Sequence, residues 1–439
     1  MTDQRTPGFA TRAIHAGASP DPATGARQTP IYQTTSYVFE SSEHAASLFA
    51  LQQLGFIYSR LTNPTVSVLE ERLAALEGGV GTTCTSSGHA AQLLALFPLM
   101  EPGAEIVAGN KLYGGTFSQF GNSFPRAFGW KTKWADADDP ESFRKAITAE
   151  TRAIFIESLA NPGGVVYDIA AIAAIADEAG VPLIVDNTMA TPYLCRPFEH
   201  GAHLVVYSTT KFLSGNGTSI GGALIDGGTF DWSKAAEKFK ALVDPSPEYH
   251  GLKFHETFGN LAYTFHGHAV GLRDLGVNQQ AMNAWLTLLG LETLPLRMER
   301  HCANAQKVAE FLDGHDAVEW VNYAGLPASP YNALAKRYLP KGAGAVFTFG
   351  LKGGYEAGKA LVDSVEMLSH VANIGDTRSL IIHPASTTHS QLDADQLVAA
   401  GAGPEVVRLS IGLEDAEDVI ADLDGALSRV AGTARSAAE

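Results

Sequence analysis

Four short segments, AEIVAG at 104–109, TRAIFIES at 151–158, VPLIVDNT at 181–188 and LVVY at 204–207, are apolar at successive positions rather than at every second one. A strand with that pattern has both faces covered, the situation of a mostly parallel sheet between two helix layers. Helical stretches separate the strands. NPTVSVLEERLAALEGG (63–79) sets Val68, Leu69, Leu73 and Leu76 at helical spacing and closes on Gly78 and Gly79. TSSGHAAQLLALFPLM (85–100) follows a strand-like stretch at Thr82–Thr85 and enters a helix capped by Ser86 or Ser87. YDIAAIAAIADEAG (167–180) starts at Asp168, lines up Ile169, Ile172 and Ile175, and stops at Gly180.

The expected fold class is therefore α/β, a mostly parallel central sheet with helices on both faces. A chain of 439 residues exceeds what one core normally serves, so a second unit is expected. Residues 1–62, rich in Thr, Gly, Pro and Ser with weak periodicity, read as an extended N-terminal arm of the kind that embraces a neighbouring subunit. Residues 63–276 form the large domain, in which 229–266, carrying charge, Pro and aromatics, reads as an insertion near the site. Residues 277–439, with strands such as AVFTFGL and helices such as AEDVIADLDGALSRV, read as a smaller α+β C-terminal domain.

Composition excludes several function classes. A net charge of −16 without a basic patch argues against nucleic acid or an anionic membrane as partner. Cys84, Cys195 and Cys302 are few, odd in number and widely spaced, which points to reduced thiols and a cytoplasmic home. The N-terminal MTDQRTPGFATRAIHAG lacks the apolar core of a signal peptide, and no run approaches the roughly 18 apolar residues of a membrane span. GNGTSIGG at 215–222 has Ile220 where a dinucleotide loop needs glycine. His200 with His203, and His266 with His268, lack the thiolate pair or HExxH pattern of a metal site, so no metal is expected.

Chemistry in α/β proteins collects at the carboxyl ends of the strands. There the chain sets Glu157 and Asn161, then Asp186, then Ser208, Thr210 and Lys211. A lysine beside a loop is ordinarily a solvated charge, and an aspartate there ordinarily a cap. Together, on adjacent strand ends, they suit pyridoxal phosphate: the amine of Lys211 forms a Schiff base with the aldehyde, and Asp186 pairs with the pyridine nitrogen. The phosphate would find backbone N–H groups at Ser87, Gly88 and His89, where a helix begins. Tyr113, followed by glycines in KLYGGTFSQF, could lie flat against the ring.

The motifs FATRAIHAG, YSRLTNPT, SSGHAAQ, LYGGT, ANPGG, VDNT, YSTTKF, LRMERHCANAQ, HPAS and VRLSIGLED, taken together from end to end, resemble the Cys/Met metabolism family of pyridoxal-phosphate enzymes with the aspartate aminotransferase-like fold (fold type I). The resemblance implies that Lys211 holds the cofactor, that Asp186 meets the pyridine nitrogen, that Tyr113 stacks on the ring, and that Asn161 and Thr188 also bind the cofactor. It implies that Ser87, Gly88, His89, Ser208 and Thr210 surround the phosphate, joined by Tyr58 and Arg60 from the neighbouring subunit. Lys211, Tyr113 and Tyr58 would be the catalytic residues, and Arg408 would clamp the substrate α-carboxylate with Asn161 and Ser379 as helpers. His89, YGGTFSQF, the 229–266 segment and HPASTTHSQL (383–392) resemble the homoserine-ester sulfhydrylase branch, with O-acetylhomoserine and sulfide or a thiol as substrates. A homotetramer of paired subunits is implied. Methionine γ-lyases, which typically have cysteine where this chain has Gly115, cystathionine synthases and lyases, and succinyl-ester enzymes are the alternatives; a scaffold without activity is the non-enzyme one.

Overall fold

A computed structural model describes residues 6–161, 164–388, 390, 393, 397 and 401–438. Seven strands form the large sheet: β1 (Gly81–Thr85), β2 (Glu105–Gly109), β3 (Lys131–Ala135), β4 (Thr151–Glu157), β5 (Leu183–Asp186), β6 (Leu204–Ser208) and β7 (Gly222–Asp226). Their order is β1-β7-β6-β5-β4-β2-β3, with β3, β2, β4, β5 and β6 parallel and β7 antiparallel to both its neighbours. The expected α/β class with helices on both faces is the observed one.

Alternate residues of a strand point to opposite faces, and here each face meets its own core. Val185 and Val205 join Leu69, Leu73 and Ile172 on one side; Ile184, Leu204 and Val206 join Ala91, Leu94 and Leu224 on the other. That double burial is why these segments lack polar alternation. The flanking helices begin and end where their sequences allow. Asn63 caps Pro64–Glu77 by accepting from Thr65 N, and Gly78 ends it at φ 91°. Ser87 caps Gly88–Leu96 by accepting from Ala90 N. Asp168 caps Ile169–Ala179, which Gly180 ends at φ 63°.

Two regions differ from the sequence reading. Residues 229–266 divide between two apolar clusters, with Tyr249, Phe254, Phe258 and Phe265 gathered beside Ala262, Ala269 and Val270. Trp232, Phe239, Leu242 and Tyr263 are buried in the second core against Ile184, Leu204 and Val206. The Tyr263 hydroxyl donates to Ala95 O, at the end of the Gly88–Leu96 helix remote from Ser87. Aromatic side chains stacked in this way bury more area as a covering layer than as a loop in water. Within 1–62, short helices form at Phe9–His15 and Ser42–Phe49, the second capped by Ser41. Weak periodicity concealed them because Ala13 and Leu48 are the buried residues of each.

The C-terminal part holds β8 (Val318–Asn322), β9 (Val346–Leu351), β10 (Ser369–His370), β11 (Leu380–Ile382) and β12 (Val406–Ser410) in the order β10-β11-β12-β9-β8, antiparallel except for β10 with β11. No helix among the described residues is long and apolar enough to cross a membrane. His389, Gln391 and Leu392 of HPASTTHSQL and Pro162 and Gly163 of ANPGG lie outside the described residues.

Asn63, only 2% exposed, organises the segment leading to the first long helix. Its amide nitrogen donates to Tyr32 O at 2.9 Å, Ser59 Oγ at 3.0 Å and the Tyr37 hydroxyl at 3.2 Å, while its oxygen accepts from Thr65 N. Asn63→Ala is expected to cost about 1–3 kcal/mol, combining a lost cap with orphaned buried partners. A lower urea midpoint together with faster proteolysis confined to 30–62 is the expected measurement.

Candidate active site

Lys211 follows β6 in a tight turn, its N–H donating to Ser208 O at 3.3 Å and its carbonyl accepting from Gly215 N at 2.8 Å. From there the side chain runs inward, and Nζ donates to Asn373 Oδ1 at 2.6 Å. Arg408, on β12, donates from Nη2 to the carbonyl of Asn373 at 3.3 Å and from Nη1 to Asn161 Oδ1 at 3.3 Å. Two cations thus share one asparagine. Burial, and then the charge of Arg408, push Lys211 down to about 8. Burial likewise lowers Arg408, to about 10. A lysine in that range has a free electron pair in a useful fraction of molecules near neutral pH, which is what a nucleophile or proton carrier requires.

Asp186 ends β5 one strand away. Its Oδ1 accepts from Thr188 N at 3.0 Å and its Oδ2 from Gln92 Nε2 at 3.2 Å. Burial raises the Asp186 carboxyl, and these donors pull it back. Gln92 is buried and also donates to Thr116 Oγ1 at 3.0 Å. Next to Asp186, Asn187 accepts from Ser158 Oγ at 2.7 Å and donates to Tyr207 at 2.6 Å, so the strand end is braced from behind.

The helix starting at Gly88 approaches the same place. A Cβ on Gly88 would lie 2.8 Å from Ser208 Cβ, so only glycine lets the helix start come this close to β6. Ser208 N donates to Thr188 Oγ1 at 2.8 Å, which ties β6 to the turn after β5. His89 stacks with Tyr113 at a centroid distance of 5.8 Å and 28°. Burial lowers His89, and its Nε2 is buried with no hydrogen-bond partner among the described residues. Tyr113 itself is 47% exposed, so one ring face is open for contact.

Two predicted residues, Ser379 and Thr210, make contacts that the sequence did not anticipate, while Ser87 caps its helix as expected. Ser379 is buried, with its hydroxyl donating to Glu414 Oε2 at 2.9 Å and accepting from Gly412 N at 2.9 Å. It braces the turn after β12 rather than assisting Arg408, because β11 pairs with β12 so that Leu380 faces Ser410, leaving Ser379 beyond it. Asn373 occupies the helper position instead. The Thr210 hydroxyl is taken up by Gly221, donating to its carbonyl at 3.2 Å and accepting from its N–H at 3.1 Å. Ser87 Oγ is committed to its capping bond. Tyr58 and Arg60 lie apart: Tyr58 bridges to Ser36, and the Arg60 guanidinium stands over the Tyr58 ring at 5.6 Å. Among the described residues, no hydrogen bond or ion pair joins either to Lys211, Asp186 or Arg408.

Gln92 and Asn373 were missed. Gln92 had a signal, as the one polar side chain in an otherwise apolar run, one turn past Gly88. Asn373 had none, since 162 residues separate it from Lys211.

Comparison with known proteins agrees with this geometry. Residues 10–428 match the family described as Cys/Met metabolism PLP-dependent enzymes. The chain is 52% identical to the O-acetyl-L-homoserine sulfhydrylase of Leptospira meyeri, over 96% of each chain. It is 50% identical to O-acetyl-L-homoserine sulfhydrylase 1 of Thermus thermophilus, over 96% of this chain and all of that one. Among solved structures, an O-acetylhomoserine (thiol)-lyase of Campylobacter jejuni bearing N'-pyridoxyl-lysine-5'-monophosphate superposes with a TM-score of 0.92 at 42% identity, covering 96% of this chain and 100% of that chain. With the match spanning both sheets and the lysine–aspartate pair standing at adjacent strand ends, the chain belongs to the Cys/Met metabolism family of pyridoxal-phosphate-dependent enzymes.

Proposed function

We propose that this chain is a transferase of methionine biosynthesis that replaces the acetate of O-acetyl-L-homoserine with sulfide, or with methanethiol, giving L-homocysteine or methionine. The relatives' names support the ester and the sulfur donor. The observation that carries the amino-acid side of the reading is the shared Asn373, which holds the amine of Lys211 beside the guanidinium of Arg408.

The residues present fit pyridoxal phosphate. Asp186 offers a carboxylate with its own donors, Gly88 allows close backbone approach at a helix start, and the buried Nε2 of His89 has hydrogen-bond capacity that a bound group would satisfy. When bound, this cofactor supplies an electron sink for negative charge at the substrate Cα. Lys211 holds the cofactor and carries protons at Nζ, with Asn373 aiming it. Arg408 and Asn161 bind the substrate carboxylate, a task for which a guanidinium held at both nitrogens is suited. Tyr113 covers the ring with its open face, and Ser87, His89, Ser208, Thr188 and Thr210 form the surrounding wall. Desolvation around Lys211 keeps its amine partly neutral without a catalytic base beside it.

We extend the proposal to the assembly, a cytoplasmic homotetramer in which Tyr58 and Arg60 reach the cofactor phosphate of the neighbouring subunit. Tyr58 is 42% exposed, and the same segment exposes Val38, Phe49 and Leu54, an apolar surface that a monomer would leave in water. The division at 62 and 276 into arm, large domain and C-terminal domain belongs to the same reading.

Against a γ-lyase stands Gly115, where an added Cβ would lie 2.5 Å from Tyr113 Cε1 and 2.7 Å from His89 Cε1. Cysteine there would displace one ring or the other. Gly115→Cys is expected to reduce kcat/KM for sulfide-dependent acetate release by about tenfold, the scale of overpacking; an unchanged value would mean that the rings yield freely.

Purified protein given O-acetyl-L-homoserine is expected to release acetate and form homocysteine only when sulfide is added, and Lys211→Ala is expected to fold yet lack this turnover. Keto acid and ammonia produced without sulfide would overturn the assignment in favour of a lyase.

Covalent capture of pyridoxal phosphate by the cofactor-free protein should rise with pH through a midpoint near 8, read as borohydride-trapped adduct. Below about 8 the amine is protonated in folded and unfolded chains alike, and the folded chain bears the whole cost of the buried charge. Between about 8 and the ordinary 10.5 only the unfolded chain holds that proton, so this group makes the cofactor-free protein more stable as pH rises across the window. In Arg408→Ala the capture midpoint should move upward yet stay below 10.5, because burial is the larger cause.

A further inference from the structure

Glu157 ends β4 in register with Asp186 on β5, and only 4% of it is exposed. Burial, and then the like charge of Asp186, push its carboxyl well above the ordinary range, and the two backbone donors pull it back. Two carboxyls side by side away from water are costly unless their oxygens are well supplied with donors. Glu157 has two. Oε1 accepts from Tyr113 N at 2.6 Å and Oε2 from Asn161 N at 3.0 Å.

These donors lie on separate loops with separate tasks. Tyr113 precedes the helix Gly114–Ser118 and turns its ring toward His89. Asn161 follows β4 and accepts from Arg408 Nη1. One carboxylate therefore holds the backbone beneath the ring-covering residue and beneath the corner that grips the substrate carboxylate. Both oxygens must accept, so a neutral side chain of the same shape cannot replace it: the amide of glutamine would turn N–H toward one of the two N–H donors.

We propose that Glu157 is a positioning residue that clamps Tyr113 and Asn161 at one separation, so that the cofactor ring and the substrate carboxylate are held in matched places. The inference rests on the site roles given under the proposed function, though not on the identity of the ester. Its effect on amino-acid binding passes through Asn161, and its effect on cofactor retention passes through Tyr113.

The test uses the cofactor-loaded enzyme and L-norvaline, an α-amino acid without a leaving group, with binding read from the change in cofactor absorbance. Glu157→Gln is expected to weaken norvaline binding about tenfold, the scale of one charge-assisted hydrogen bond, and to speed loss of pyridoxal phosphate on dialysis. In an Asn161→Ala background the same substitution should change norvaline binding less than about twofold. If Glu157→Gln does not fold, Glu157→Asp, which keeps the charge but spans only one of the donors, should show the same dependence on Asn161. Losses that multiply across the two sites, or a lowered melting temperature with both binding readouts unchanged, would overturn the clamp. A wild-type enzyme that binds norvaline as expected but releases no acetate with sulfide would defeat the ester assignment and leave the clamp supported.

Discussion

Two half-buried cations side by side, Lys211 and Arg408, set the terms for the rest of this molecule. Like charges away from water repel, and a protein keeps them together only where rigid polar groups hold each one. Asn373 does so with its side-chain oxygen toward Lys211 and its backbone oxygen toward Arg408. The consequence is chemical as well as structural. The amine sits near the pH at which it can both accept and give a proton, and the guanidinium stays charged to receive an anion.

The arrangement needs both sheets. Lys211 comes from the turn after β6 of the large sheet, whereas Arg408 lies on β12 of the smaller one. The large sheet supplies rigidity: its strands are buried on both faces, its helices are capped by side chains, and Asn187 braces the end of β5 against Ser158 and Tyr207. Behind that brace, Tyr207 donates to buried Glu77, which burial raises to about 8. The strand ends thus stand on a continuous polar network with little freedom to shift.

Several site residues owe their identity to steric closeness instead of chemistry. Gly88 admits the helix start to Ser208, and Gly115 leaves room for the rings of Tyr113 and His89. The same closeness explains Gln92, whose amide spans from its helix to both Thr116 and Asp186. Trp232, Phe239, Leu242 and Tyr263 of the 229–266 segment serve the fold in another way, as an apolar cover on the face of the sheet opposite the first core.

The amino-acid order alone determined the parallel sheet, a helix cap at Ser86 or Ser87, the helix start at Asp168, and the convergence of Asp186 and Lys211, because periodicity and strand ends are local properties of the chain. Tertiary structure alone decided that Asn373 and not Ser379 assists Arg408, that the Thr210 hydroxyl is bound to Gly221, and that Trp232, Phe239, Leu242 and Tyr263 cover the sheet. Those outcomes depend on strand register and on contacts between residues far apart in the chain. Ser379 suits a carboxylate site by residue type, and only the pairing of β11 with β12, which sets Leu380 opposite Ser410, carries it away from Arg408.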